Sequence, residues 1–115
     1  MSIDAIGYLR REISGVRQPW DEDQMRSLAK RLGYNMRKIV TFTDRVYDAE
    51  GRLRNVAVQL GVDAVFVPSV AHLNGRVVPT ELVRVVDVIT VEPECTYARW
   101  ASGWLPDEIE DSRIE

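Results

Sequence analysis

Short apolar runs alternate along this chain with stretches whose apolar residues recur at helical spacing. Ile3-Asp4-Ala5-Ile6-Gly7-Tyr8-Leu9 is too short for a helix and is followed by charged residues, which predicts a first strand. Arg10 to Pro19 reads as a polar loop. From Pro19 or Asp21 to Leu32, the positions Met25, Leu28, Ala29 and Leu32 fall at i, i+3, i+4 and i+7, the stripe of a helix. Asp21 with Gln24 predicts a capping box, Glu22 and Asp23 suit the positive first turn, and Gly33 is a natural stop. Lys38 to Thr43 is β-branched and aromatic, a second strand. After a polar loop from Asp44 to Gly51, Leu53, Val56, Ala57 and Leu60 predict a second helix that stops at Gly61. Ala64-Val65-Phe66-Val67, bounded by Asp63 and Pro68, suits a strand covered on both faces. Between Val70 and Val78, Asn74-Gly75 allows either a two-residue hairpin or an irregular loop. Thr80 is the expected cap of a short third helix, Glu81 to Val86, and Asp87 to Val91 is a fourth strand.

The alternation of strands and helices predicts an α/β fold: an open, mainly parallel sheet of four to five strands with helices on both faces, a flavodoxin-like three-layer arrangement. This domain is expected over residues 1–100. Residues 101–115 hold five acidic residues and one Arg after position 104, and are expected to form a disordered acidic tail. Tyr97, Trp100 and Trp104 stand at i, i+3 and i+7, so a helix there would carry an aromatic face, for core packing or as a partner anchor. The third helix, Leu82-Val83-Arg84-Val85-Val86, is apolar almost all round. Three helices cannot cover both faces and both edges of such a sheet, which predicts a homodimer formed through Tyr97, Trp100 and Trp104.

Composition narrows the chemistry. With 115 residues, 45 % of them hydrophobic, the chain can bury a core without disulfides or metal. The single cysteine, Cys95, and the single histidine, His72, exclude an internal disulfide framework and a four-ligand zinc site of the usual kind. No metal or cofactor is expected. The absence of a long apolar run, and of a basic segment followed by an apolar one at the start, leads us to expect a cytoplasmic protein off the membrane. The net charge of −3 divides into +3 over residues 1–60 and −6 over residues 61–115. Arg makes up 13 of the 15 basic residues, and its planar fork suits phosphate or carboxylate. The basic excess is mild and no element suits the major groove, so DNA binding is expected to be weak or absent.

In open α/β sheets ligands bind at the C-terminal ends of the strands, which gathers Arg10–Pro19, Asp44–Gly51 and Pro68–Pro79 at one edge. Arg10, Arg11, Arg17 and Arg45 are the candidate anion grip. Neither Gly-x-Gly-x-x-Gly nor Gly-Lys-Ser/Thr occurs, and Asp21-Glu22-Asp23 would repel an anion from the following helix. Ser14 beside Gly15 reads as a turn residue or, alternatively, a nucleophile. His72 has the pKa of a general base but equally serves as a loop residue. Cys95 follows Glu94, an acidic setting that disfavours thiolate chemistry.

Ile6-Gly7-Tyr8-Leu9-Arg10, closing the first strand, resembles the opening of serine recombinase (resolvase/invertase) catalytic domains, whose motif is Tyr-x-Arg-x-Ser. Gln24 and Leu28 ahead of Gly33, Thr43-Asp44 after the second strand, and Asp63 to Arg76 are similar to later parts of that domain, so that the resemblance covers about residues 3–91. It implies a resolvase-like fold, in which Tyr8 and Arg10 match the family's site and one of Arg45 or Arg52 supplies a further match. It also exposes departures. Glu12 stands where the family's serine attacks the DNA phosphate, Ala71 and His72 stand where it has Asp and Arg, and Gly75 stands at its final Arg. Phosphoryl transfer needs several positive groups around the phosphate. The expectation is therefore a catalytically inactive, stand-alone resolvase-like domain acting as an interaction or regulatory module with an unknown protein partner. The alternatives are a strand-exchange or nicking enzyme with Ser14 as relocated nucleophile, and a domain binding a small anionic ligand.

Overall fold

A computed structural model of the chain describes residues 3–73, 76–99 and 108–109. Strand β1 (Ile3–Arg10) leads into a short helix α1 (Arg11–Ser14), a 3₁₀ turn (Gly15–Arg17) and helix α2 (Gln18–Arg31). Strand β2 (Tyr34–Phe42), helix α3 (Ala49–Leu60) and strand β3 (Ala64–Val67) follow. A 3₁₀ turn (Val70–His72), strand β4 (Val78–Pro79), helix α4 (Thr80–Val83), strand β5 (Asp87–Thr90), strand β6 (Cys95–Tyr97) and strand β7 (Glu108–Ile109) complete the order. The main sheet runs β2-β1-β3-β5-β6, with its first four strands parallel and β6 antiparallel to β5. The α/β class and the five-stranded, mainly parallel open sheet agree with the sequence reading.

Alternation along the central strands builds two cores. Ile6 and Tyr8 of β1, Val65 and Val67 of β3 and Val88 of β5 pack with Leu53 and Ala57 of α3 and with Leu82 and Val83 of α4. Ala5, Leu9, Ala64, Phe66 and Ile89 point the other way, against Met25, Leu28 and Ala29 of α2. All four residues of β3 are buried, as a central strand between two helical layers requires. Among the described residues no helix is long and apolar enough to cross a membrane.

Several local expectations need correction. Arg10–Pro19 is not a loop: it holds the end of β1, α1, a 3₁₀ turn and the start of α2. Helix α2 therefore begins at Gln18, and Asp21, expected as a cap, lies in its first turn and accepts a hydrogen bond from Ser14. β2 begins at Tyr34 rather than Lys38, because its polar first half pairs with β1 from Ile3 onward. Helix α3 starts at Ala49, where the Asp48 side chain accepts from the Gly51 N–H. Thr80 is the first helical residue of α4, with Pro79 at the cap position, and the helix ends at Val83. Tyr97 belongs to a strand paired with Val88, so a helical aromatic face through it does not form. It is 3 % exposed, within the core. Trp100 and Trp104 lie outside the described residues, as do Asn74, Gly75 and most of the tail. Within that tail, Glu108–Ile109 form a strand antiparallel to Val78–Pro79.

Candidate functional site

The strand order reverses between β1 and β3: the chain passes from β1 to β2 on one side, then returns to β3 on the other. Such a reversal leaves a crevice at the C-terminal ends of the diverging strands, where open α/β sheets bind ligands. Here the crevice has a volume of about 360 Å³ and is lined by Ile13, Ser14, Arg17 and Asp21 after β1, by Pro68, Ser69 and His72 after β3, and by Glu92 after β5.

Ser14 is 6 % exposed, and its Oγ donates to Asp21 Oδ2 at 2.7 Å, strapping α1 to α2. His72, 3 % exposed, is tied to the first strand: the Arg10 backbone N–H donates to its Nδ1 at 2.9 Å. With Nδ1 accepting, the neutral ring carries its proton on Nε2. Burial lowers the His72 pKa below the usual 6.5, and the Asp21 carboxylate opposes this only in part. Ser69 Oγ accepts from the Ala71 N–H, shaping the turn that presents His72. The geometry is not a nucleophile–histidine pair, because the Ser14 hydroxyl is aimed at a carboxylate and His72 Nδ1 is occupied by backbone.

Arg10 meets a different partner. Its Nε and Nη2 both reach Glu12 Oε2, at 3.0 and 2.8 Å. Burial works against the Arg10 charge, but the neighbouring Tyr8 and Glu12 outweigh it and raise its pKa. Tyr8 is fully buried, edge-to-face with Phe42 at 5.7 Å, and its hydroxyl has no hydrogen-bond partner among the described residues. Burial pushes that phenol up to about 12, although nearby Arg10 favours ionisation.

The candidate arginines do not converge. Arg17 lines the crevice at the switch point, whereas Arg11 and Arg45 line a second one with Glu12, Thr43 and Asp44. Arg10 is turned to Glu12, and Arg52 donates to the Tyr47 carbonyl. Ala71 sits in the 3₁₀ turn, and Arg76 is exposed with a φ of 58°. Sequence reasoning placed Ser14, Arg17 and His72 at one edge but missed the Ser14–Asp21 bond, Ser69 and Glu92. Asp21 was hidden by its reading as a cap. Among the described residues no group of three or more His, Cys, Asp or Glu could hold a metal ion. No family model and no curated protein matches this chain.

Proposed function

We propose that this chain is a non-catalytic resolvase-like domain, an interaction or regulatory module that associates with a second copy of itself. The observation that carries the reading is the 2.8 Å ion pair between Arg10 and Glu12. In the resembled family the position of Glu12 supplies the attacking serine and that of Arg10 helps to hold the phosphate. Here a carboxylate removes the nucleophile, repels a phosphodiester and neutralises the arginine meant to grip it. Arg17 lines one crevice and Arg11 and Arg45 line another, which further weakens a clamp, since transition-state charge needs several donors aimed at one point.

Ser14 does not repair the loss. It is buried and engaged with Asp21, and the Asp21 and Glu92 carboxylates of its crevice disfavour an incoming phosphate. A supercoiled-plasmid nicking assay tests the reading. The wild type leaves the plasmid supercoiled; nicking that disappears in Ser14→Ala overturns the proposal in favour of a relocated nucleophile.

A further inference from the structure

The crevice at the switch point holds opposite charges that do not pair with one another. Arg17 follows β1 and Glu92 follows β5, the two strands that flank β3, and both side chains are exposed. Asp21, half-buried, adds a second carboxylate to the same lining. Among the described residues Arg17 forms no ion pair with either carboxylate, although all three border one volume of about 360 Å³. That separation leaves room for a ligand between the charges.

His72 supplies a second, independent sign of a ligand. It is 3 % exposed, and its Nδ1 is taken by the Arg10 N–H at 2.9 Å. The proton of the neutral ring therefore sits on Nε2, where no acceptor meets it among the described residues. A buried N–H without an acceptor is costly, and an acceptor entering the crevice removes that cost. Ser69, in the turn that presents His72, accepts from the Ala71 N–H at 3.2 Å, so its own hydroxyl proton is free to donate. Ser14 has spent its proton on Asp21 Oδ2, which leaves Asp21 Oδ1 as an acceptor. The second crevice has no such floor: Arg11, Glu12, Asp44 and Arg45 are all exposed, and no buried side chain lies among them.

These donors and acceptors select the ligand's chemistry. A simple anion would face two carboxylates, and a simple cation would face Arg17. A molecule with both an ammonium and a carboxylate meets each group with its opposite. The volume lies at the low end of the range for ligand clefts, about 300–1,000 Å³, which suits one small molecule. We infer that the switch-point crevice binds a free amino acid, its carboxylate held by Arg17, His72 and Ser69 and its ammonium by Asp21 and Glu92. The inference depends neither on the chain's lack of catalysis nor on its self-association.

Thermal unfolding of the full chain with each of the common free amino acids at about 10 mM tests it, because a ligand of the folded state raises the melting temperature. Titration calorimetry follows with the amino acid that stabilises most, and a dissociation constant of about 1 mM or below is expected. The amide of that amino acid lacks the carboxylate and its decarboxylated amine lacks the same group altogether, while its N-acetyl derivative lacks the ammonium; each should bind at least about tenfold more weakly. Arg17→Gln and Glu92→Gln should each weaken binding about tenfold without changing the melting temperature of the unliganded chain, since both side chains are exposed. Arg45→Gln, in the other crevice, should leave binding unchanged. No stabilisation by any amino acid overturns the inference. Binding indifferent to both Arg17→Gln and Glu92→Gln overturns this site. Equal binding of the amine or of the N-acetyl derivative overturns the zwitterionic class and leaves a site for a single sign of charge. None of these outcomes alters the result of the nicking assay.

Discussion

His72 accepts the Arg10 N–H through Nδ1, so protonating that nitrogen costs the bond between the end of β1 and the turn after β3. Its folded-state pKa is lowered, chiefly by burial, relative to the ordinary 6.5. The unfolded chain therefore binds the proton more readily, and stability falls as pH drops from about 6.5 towards the folded-state value, levelling off below it. His72→Gln keeps an acceptor but cannot take up that proton. Melting temperatures measured between about pH 7 and pH 5 should fall less steeply in this variant; equal slopes would contradict the assignment. Tyr8 offers a second test. Its buried hydroxyl has no partner among the described residues, so Tyr8→Phe removes an unsatisfied group without leaving a cavity. Urea unfolding should show stability unchanged or raised by about 1 kcal/mol. A loss of about that size would reveal a bond that the hydroxyl makes.

Two glycine turns end α1 and α3. Gly61 closes α3 with φ 67° and ψ 31°, a left-handed conformation, while Gly15 has φ 56° and ψ −133°, which side chains resist more strongly. A Cβ at either position would meet open space, so substitution tests backbone alone. Gly61→Ala should cost about 1 kcal/mol, and Gly15→Ala about 2–3 kcal/mol in thermal or urea unfolding. Equal costs would mean that the chain after α1 relaxes. The elements differ in how far they announce themselves. β3 is legible because four consecutive apolar residues between Asp63 and Pro68 fit a strand covered on both faces. The stripes of α2 and α3 are legible because each covers one face of the sheet, except that Leu32 lies past the end of α2 and is 40 % exposed. β6 is not, since the spacing of Tyr97, Trp100 and Trp104 imitates a helix while pairing with β5 holds Tyr97 in a strand. α1 is also hidden: its polar residues give no periodicity, and the Ser14–Asp21 bond that ties it to α2 spans seven positions. The common edge of the site follows from parallel strands, but the division of its arginines between two crevices depends on α1 and on the Arg10–Glu12 pair.

Over the whole molecule, the charge distribution is what underlies our proposal that duplex DNA is bound weakly or not at all. The basic excess of residues 1–60 is only +3, against −6 for the remainder, and Arg10, Arg11, Arg17 and Arg45 share their edge with Glu12, Asp21 and Asp44. Phosphate contacts lose roughly 10³–10⁵ in affinity between about 50 and 200 mM salt when 6–10 are made, and fewer contacts begin from weaker binding. A gel shift at about 150 mM salt should therefore show no duplex binding at micromolar protein; sub-micromolar, sequence-specific binding would contradict the charge argument. We propose a narrower cause at this edge: Glu12 neutralises Arg10 from within. The most direct measurement is duplex binding at about 50 mM salt by the wild type, Glu12→Ala and Arg10→Ala/Glu12→Ala, where each freed phosphate contact still contributes. Glu12→Ala should bind about three- to tenfold more tightly than the wild type, and removing Arg10 as well should abolish the gain. Equal binding by the wild type and Glu12→Ala, or a gain that survives the loss of Arg10, would contradict it.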